Sequence, residues 1–280
     1  MQRQPLMVIP VQAPVQQDCF DLHTVITASI AAAGETLQDG DVLAVSSKYA
    51  AISEGRIVPL DDVLISDQAT EIAVRYNMNP QMVQLVLQEA DHVFGGIPLG
   101  FLLTHKDGII SPNAGLDRSN IPSGNVVLFP AQPYQTAAHI RTAIRERLGA
   151  TVGVILTDSW LMPGRWGTTG VALATAGFPP IQDERGKNDL FGNPMQVTQR
   201  GIADQIAVCA QMVMGERDEA TPFAIVRNTG VEMSDAEITV ENVSIPWEMD
   251  IYVESLTLGL LPDGAPRESV SAKLANKSPA

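Results

Sequence analysis

"TVGVILTDS", residues 151–159, is the stretch of sequence that decides the class of fold. A short aliphatic run ends in hydroxyl and carboxylate side chains, which is typical of a buried strand whose end meets solvent. "GDVLAVSS" (40–47) has the same form, and "GNVVLFP" (124–130) and "FAIVRN" (223–228) are further predicted strands. The chain therefore contains several short, core-forming strands.

Three amphipathic helices are predicted between these strands. Residues 80–90 have an Asn-Pro start at Asn79 and Pro80, which is common for helices, and repeat apolar residues at helical spacing. Residues 137–148 and 202–213 do the same, and Gly149 and Gly215 are placed to end them. The alternation predicts an α+β fold of mixed α/β type. The strand spacing is too uneven to require a doubly wound parallel sheet.

Length and composition limit the function classes. The 280 residues allow one large domain or two lobes, and we expect residues 1–261 to form one module of two closely packed lobes. Residues 262–280 lose the apolar pattern and are expected to be a flexible tail. The formal charge of −14 disfavours binding to nucleic acid, and no apolar run is long enough for a membrane span. Two distant cysteines, Cys19 and Cys209, fit a reducing compartment, so a cytoplasmic location is expected.

The common nucleotide and zinc motifs are absent from the sequence. No G-x-x-x-x-G-K-[ST], no G-x-G-x-x-G after a strand and no H-E-x-x-H can be found. A nucleotide site in this chain would therefore be neither of the P-loop nor of the Rossmann kind.

Two aspartates are candidates for metal binding. Asp158 follows a predicted core strand, where sheet proteins often bind ligands, and its carboxylate suits Mg²⁺ or Mn²⁺. A cap of the following turn explains Asp158 equally well. Asp117 lies in "SPNAGLDRSN" (111–120), and on that segment alone turn chemistry is the better explanation.

Basic and glycine-rich segments are candidates for phosphate binding, and each has a plainer explanation. "SSK" (46–48) offers hydroxyls and an ammonium group, yet a solvated lysine is twice as good an explanation by itself. "PGRWGTTG" (163–170) would allow close backbone approach to a phosphate, but glycine-rich loops are common. "DERGKNDLFG" (183–192) is most simply an exposed charged turn.

Taken together and in order, these segments resemble the coenzyme F420-0:L-glutamate ligase (F420 gamma-glutamyl ligase) family. The resemblance runs from about residue 8 to about residue 230 and rests on several linked motifs. They are "SSKYAAISEGRIVPL", "PNAGLDRSN", "ILTDS", "GRWGTTGVALATAGF", "DERGKNDLFG", "ADQIAVCAQMVMGE" and "FAIVRN". Any one of them alone would be a weak signal.

The resemblance implies a GTP-dependent and divalent-metal-dependent ligase in coenzyme F420 biosynthesis. Such an enzyme joins L-glutamate to the carboxylate of F420-0 through an acyl phosphate and releases GDP and phosphate, and further gamma-linked glutamates can follow. It implies two sites for Mg²⁺ or Mn²⁺ and allows for K⁺. It also implies a family-specific gamma-glutamyl ligase fold and a homodimer with the active site near the subunit interface.

The resemblance also implies roles for individual residues. Asp117 and Asp158 would bind one metal ion, and Ser159 and Glu216 a second. The expected GTP contacts lie in four segments and are Ile9, Pro10, Val11, Gln12, Ser46, Ser47, Lys48, Asn120, Met214, Gly215, Glu216, Arg217 and Thr221. Lys48 and Arg165 are the candidates for stabilising charge during the reaction, and the sequence identifies no general base.

Two departures from the family pattern leave the acceptor open. Many relatives have "FGRPWR-x-G" where this chain has "WLMPGRWG", so one arginine is missing. Gln205 replaces a glutamate, which would remove a charge near the nucleotide loop. A paralogous ligase with another carboxylated acceptor, or a non-catalytic nucleotide-binding module, therefore remains an alternative.

Overall fold

A five-stranded sheet forms the centre of the protein in a computed structural model that describes residues 4–246, 249–253 and 255. Its strand order is β1-β12-β2-β8-β9. The strands of the described part of the chain are β1 (Met7–Val11), β2 (Val42–Ser46), β3 (Ile57–Pro59), β4 (His92–Ile97), β5 (Phe101–Lys106), β6 (Ile109–Pro112), β7 (Asn125–Val127), β8 (Gly153–Leu161), β9 (Thr168–Ala176), β10 (Ile181–Asp183), β11 (Gln199–Gly201) and β12 (Phe223–Arg227). The four predicted strands correspond to β2, β7, β8 and β12. The predicted tail at 262–280 lies outside the described residues.

The three predicted helices are confirmed, and their ends have the expected chemistry. The α-helices described are α1 (Leu22–Ala32), α2 (Ser47–Ser53), α3 (Asp67–Tyr76), α4 (Pro80–Glu89), α5 (Pro133–Leu148), α6 (Ile202–Met214) and α7 (Ile251–Val253). Asn79 caps α4 by accepting a hydrogen bond from the Met82 backbone N–H. Gly149 and Gly215 are the C-terminal caps of α5 and α6.

The central sheet mixes parallel and antiparallel strands. Strand β2 pairs in parallel with β8, whereas β1 with β12, β12 with β2 and β8 with β9 are antiparallel. The mixed α/β class is therefore confirmed, and a doubly wound parallel sheet is absent from the described residues. No helix among the described residues is long and apolar enough to cross a membrane.

Helices cover both faces of the central sheet. Leu43 and Val45 of β2 share an apolar cluster with residues of α1 and α5. Val42 and Ala44, which alternate with them, share a second cluster with α6. Because β2 and β8 are buried on both sides, their sequences are continuously apolar rather than alternating. The packing of β2 and β8 in the core fixes the positions of the residues at the ends of these two strands.

A further apolar cluster lies away from the central sheet. It joins α3, α4, β5 and β7 through residues such as Val83, Leu102 and Val126. Next to it, β4, β5 and β6 form a three-stranded antiparallel sheet, and β3 pairs with β7. The turn that carries Asp117 comes directly after β6, between this cluster and the central sheet.

Gly170 explains part of the glycine-rich segment at 163–170 in structural terms. A Cβ atom at this position would lie 2.5 Å from the backbone oxygen of Ala207 in α6. Only glycine allows β9 and α6 to approach so closely. At Gly170 the requirement is therefore helix packing, and a phosphate contact is not needed to explain the residue.

Candidate active site

A cavity of about 730 Å³ opens where β2 and β8 end. The two strands are parallel with Ser46 opposite Thr157, so both chains leave the sheet at the same edge. Residues 117–122, residues 214–222 and the segment 13–17 after β1 complete the wall. A cavity of this size falls in the range of small-molecule binding sites, and carboxyl ends of strands are a common location for them.

Most of the site residues implied by the resemblance line this one cavity. They come from four separate parts of the chain, and folding brings them together. They are Ser46, Lys48, Asn120, Met214, Gly215, Glu216, Arg217 and Thr221 of the expected GTP contacts, with Asp117, Asp158 and Ser159 of the expected metal ligands.

The residues expected around β1 do not line the cavity. Ile9, Pro10 and Val11 pair with β12 in an antiparallel ladder, and Val11 is completely buried in the core. The Gln12 side chain donates a hydrogen bond from Nε2 to the Glu219 carbonyl oxygen at 3.2 Å. In the structure, β1 belongs to the central sheet, and the segment that follows it, residues 13–17, lines the cavity.

Arg165 and Gln205 also lie away from the cavity. Arg165 is exposed in the turn between β8 and β9 and does not contribute to the wall. Gln205 lies in the first turn of α6 and accepts a hydrogen bond from Arg200 Nη2 at 3.3 Å. Met214 lies nine positions further along the helix than Gln205, which corresponds to a rise of about 14 Å. The expectation that Gln205 removes a charge near the nucleotide loop is therefore wrong, because that loop follows the opposite end of the helix.

Asp117 is held in an ion pair. Its Oδ2 lies 2.5 Å from Lys48 Nζ and accepts a hydrogen bond from Ser119 Oγ at 2.9 Å, while Oδ1 accepts one from the Ser119 backbone N–H at 2.7 Å. Burial alone would raise its pKa, but the Lys48 charge and these hydrogen bonds outweigh that effect, so the pKa of Asp117 is lowered. Asp117 therefore stays ionised at neutral pH.

The backbone around Asp117 fixes the direction of its side chain. A turn at Asn113–Gly115 precedes it, in which Asn113 Oδ1 accepts from the Leu102 N–H and Thr104 Oγ1 accepts from the Ala114 N–H. Asp117 and Val127 then exchange two backbone hydrogen bonds. The turn chemistry noted in the sequence is real, and its effect is to carry the carboxylate to the cavity wall.

Asp158 lies in a different electrostatic setting. Its Oδ2 accepts a hydrogen bond from Ser47 Oγ at 2.5 Å, and its Oδ1 accepts from the Ser159 backbone N–H at 2.7 Å. Burial raises the pKa of Asp158 to about 6; the two hydrogen bonds oppose this rise, and the nearby Asp117 adds to it. A strongly perturbed carboxyl group in a cavity is a frequent mark of a functional site.

The loop after α6 is clasped to the loop that carries Asp117. Asn120 Nδ2 donates a hydrogen bond to the Arg217 carbonyl oxygen at 2.7 Å, and the Arg217 N–H donates to Glu219 Oε2 at 2.7 Å. Gly215 has φ +75°, a left-handed backbone conformation that favours glycine at this point of the loop. The clasp brings both loops to the same cavity.

Glu216 lies on the part of the wall next to β9. Its Oε1 accepts hydrogen bonds from Gln211 Nε2 at 2.9 Å and from Thr168 Oγ1 at 3.3 Å. Ser159 also lines the cavity, one residue beyond Asp158 on β8. The structure thus brings both residues expected at a second metal ion to the same cavity as the first pair.

The donor set suits a hard divalent cation. Asp117 and Asp158 share the cavity closely enough for the charge of one to raise the pKa of the other. Within residues 4–246, 249–253 and 255 no group of three or more His, Cys, Asp or Glu side chains converges as a metal cluster. Mg²⁺ and Mn²⁺ are commonly held by one or two carboxylates, with waters and phosphate oxygens filling the shell. The residues present fit that pattern.

Several wall residues were missed by sequence reasoning. Ser119 bridges Lys48 and Asp117, and Tyr49 donates a hydrogen bond from its hydroxyl to the Pro14 carbonyl oxygen at 2.7 Å, which ties α2 to the segment 13–17. Ser119 lay within a segment already singled out, but a serine in a turn carries no signal of its own. Residues 13–17 could not be found, because only the pairing of β1 with β12 brings them to the site.

A mixed α/β fold with a cavity at its strand ends, lined by carboxylate and hydroxyl side chains, is typical of an enzyme that binds a small molecule there. The family model described as F420-0:Gamma-glutamyl ligase matches residues 10–228, so the chain belongs to that family of ligases.

Curated relatives agree with the family match, and each is named coenzyme F420:L-glutamate ligase. The relative from Methanopyrus kandleri is 36% identical over 211 residues, which is 75% of this chain and 83% of that protein. The relative from Methanothermobacter thermautotrophicus is 30% identical over 233 residues, or 83% and 92%. The relative from Halobacterium salinarum is 38% identical over 207 residues, or 71% and 79%.

Proposed function

We propose that this protein uses GTP and a divalent metal ion to join L-glutamate to the carboxylate of coenzyme F420-0. The observation that carries the proposal is the convergence of Lys48, Asp117, Asp158 and Glu216 on one cavity of about 730 Å³. Family membership and the names of the relatives support the substrates.

The reaction needs two group transfers. The acceptor carboxylate attacks the γ-phosphorus of GTP, the bond to the β-phosphate oxygen breaks, and an acyl phosphate and GDP result. The glutamate amine then attacks the acyl carbon, loses a proton and expels phosphate, which leaves the amide. Further glutamates can be added by the same steps. Both transfers depend mainly on positioning and on neutralising negative charge.

The residues of the cavity have distinct parts in this scheme. Asp117 and Asp158 would hold one metal ion and Ser159 and Glu216 a second, and Mg²⁺ or Mn²⁺ bound there would neutralise phosphate charge. Lys48 lines the same cavity, where its ammonium group would contact phosphate. Loop 214–221, clasped by Asn120, offers backbone groups for the nucleotide. Arg165, on an exposed turn, would contact a substrate only from outside the cavity.

The homodimer and the K⁺ ion are also proposed. Ile97, Phe101 and Leu103, on β4 and β5, expose 51%, 45% and 48% of their surface, and such an apolar patch supports a contact between subunits. Sedimentation of the wild type and of Leu103→Lys tests the dimer, which the substitution should weaken. Turnover with KCl compared with NaCl tests the ion.

One assay tests the function. Purified protein is incubated with GTP, Mn²⁺, L-glutamate and F420-0, with Asp158→Asn as the inactive variant and Asp62→Asn, an exposed aspartate outside the cavity, as its control. We expect glutamylated product, GDP and phosphate from the wild type and from the control only.

The same assay separates the alternatives. GTP binding without any glutamylated F420-0 would contradict this acceptor, and phosphate release with another carboxylated acceptor would then identify a paralogous ligase. The altered segment at 160–167 favours testing that alternative. Nucleotide binding with no phosphate release for any acceptor would instead indicate a non-catalytic module.

A further inference from the structure

Ser47 contacts the cavity's most perturbed carboxylate without lining the cavity itself. It is the first residue of α2 and only 1% exposed, whereas Ser46 and Lys48 on either side lie on the cavity wall. Its Oγ donates a hydrogen bond to Asp158 Oδ2 at 2.5 Å. The resemblance groups Ser47 with the GTP contacts, but its side chain faces the protein.

A serine hydroxyl has a single proton to donate. In the structure that proton is directed to Asp158, so the remaining lone pairs of Ser47 Oγ can only accept. Phosphate oxygens at neutral pH are acceptors as well, and they need donors. The Ser47 side chain therefore cannot serve Asp158 and a phosphate at the same time.

The hydrogen bond also crosses between two elements. Asp158 belongs to β8, and within the described part of the chain its second oxygen, Oδ1, is held only by the backbone N–H of the next residue, Ser159. Ser47 is the contact that fixes the Asp158 carboxylate to the start of α2, one residue from Lys48. Hydrogen bonds of this kind orient the side chains that bind metal ions, and their loss commonly weakens metal binding.

We propose that Ser47 is a positioning residue for Asp158, which orients the carboxylate toward a divalent cation and does not bind the nucleotide through its side chain. The proposal rests on the proposed function, because it takes Asp158 as a metal ligand. The family resemblance implies instead that Ser47 contacts GTP. Ser47→Ala should therefore weaken Mn²⁺ binding if Ser47 positions Asp158, and GDP binding if its side chain contacts the nucleotide.

Binding measurements on Ser47→Ala test the proposal. Mn²⁺ alone is titrated and followed by electron paramagnetic resonance of the free ion, and GDP alone is titrated by calorimetry without metal. We expect Mn²⁺ affinity to fall at least about tenfold and GDP affinity to stay within about twofold of the wild type. Ser47→Thr keeps the hydroxyl and should recover most of the Mn²⁺ affinity.

Ser111→Ala is the matched control. Ser111 is also buried, at 5% exposure, but its Oγ has no hydrogen-bond partner among the residues that the structure describes, so its loss should leave both affinities unchanged. Ser47→Cys replaces the hydroxyl with a slightly larger thiol, which is a weaker donor, and should give an intermediate Mn²⁺ affinity. This variant keeps the test decisive if Ser47→Ala does not fold.

The results separate this proposal from the proposed function. Wild-type protein that binds no Mn²⁺ would contradict both. Wild-type binding that is unchanged in Ser47→Ala and Ser47→Cys would contradict the positioning role alone. Weaker GDP binding with unchanged Mn²⁺ binding would contradict it too, and would identify Ser47 as a nucleotide contact.

Discussion

Asp117 and Asp158 share one cavity, yet their surroundings treat the negative charge in opposite ways. Asp117 has an ammonium partner, Lys48, and its pKa is lowered. Among the described residues Asp158 accepts hydrogen bonds from neutral donors, a hydroxyl and a backbone N–H, and burial raises its pKa to about 6 although the more distant Lys48 charge opposes the rise. Lys48 neutralises the charge of Asp117 by direct contact. Asp158 has no such contact within the described part of the chain, so we expect a bound cation to neutralise its charge.

The difference follows from where each residue lies in the fold. Asp117 is on a surface turn that lysine can reach from α2, and Asp158 is at the end of a buried central strand. A rigid strand end gives precise placement, but it also removes water from the charge. We therefore expect the chemistry of Asp158 to depend more than that of Asp117 on a bound cation.

Asp158→Asn should have the largest effect. We expect Mn²⁺-dependent turnover to fall by more than about 100-fold, because a neutral amide is a poor ligand for a hard cation. The metal-free variant should unfold at or above the wild-type temperature at pH 7.5, since a penalised charge is removed. Turnover and thermal unfolding of the same preparations check this. Full activity, or a large loss of stability, would contradict the account of Asp158.

The pH dependence of Mn²⁺ binding should be the next largest effect. The folded pKa of Asp158, about 6, lies above its ordinary value of 3.8. Below pH 6 a proton occupies the carboxylate of most molecules and competes with the metal, so Mn²⁺ affinity should fall about fivefold from pH 6 to pH 5. Affinity that stays constant down to pH 5 would contradict the raised pKa.

The same shift predicts a stability change in the metal-free protein. Because the folded state holds this proton more tightly than the unfolded state, the destabilising contribution is full above pH 6. It disappears as the pH falls toward 4. The unfolding temperature of Asp158→Asn, compared with the wild type, should therefore show its greatest advantage at neutral pH and lose it under acid conditions.

Ser119→Ala should have a smaller effect than Ser47→Ala. Asp117 loses one hydroxyl contact in this variant but keeps Lys48 and the Ser119 backbone N–H. We expect Mn²⁺ affinity to fall about threefold, in keeping with the loss of one of several hydrogen bonds. Parallel Mn²⁺ titrations of the two variants measure the difference. A larger loss for Ser119→Ala would reverse the order assigned to the two carboxylates.

Asn120→Ala should have the smallest effect and should act on the nucleotide. The substitution removes the hydrogen bond to the Arg217 carbonyl oxygen and so releases loop 214–221 from the Asp117 loop. We expect GDP affinity to fall about twofold while Mn²⁺ affinity without nucleotide is unchanged. Calorimetric titrations of each ligand check this, and an equal loss for both would show that the clasp also holds Asp117.

Four strands and three helices could be predicted from the sequence, because each shows a local pattern of apolar residues and glycines. Continuous apolar runs gave β2 and β8, and Gly149 and Gly215 marked the ends of α5 and α6. The strand order could not be predicted, since pairing a single parallel strand inside an antiparallel sheet depends on distant contacts. The sequence also could not show that Gln205 and the loop 214–221 lie at opposite ends of α6.

The candidate site, too, could be predicted only in part from the sequence. Asp117, Asp158 and Lys48 could be named because their segments resemble a family, and on residues alone each had a plainer explanation. The direction of the Ser47 side chain could not be predicted, because serines 46 and 47 look alike in sequence. Helix α2 begins between them, so Ser46 faces the cavity and Ser47 faces Asp158.

Diffraction from crystals grown with Mn²⁺ and GDP, collected at the manganese absorption edge, tests the central claim most directly. The account predicts an anomalous peak in the cavity that is coordinated by carboxylate oxygens of both Asp117 and Asp158, with GDP phosphate beside it. A cavity that binds GDP with no manganese peak, or a peak that neither aspartate coordinates, would contradict it.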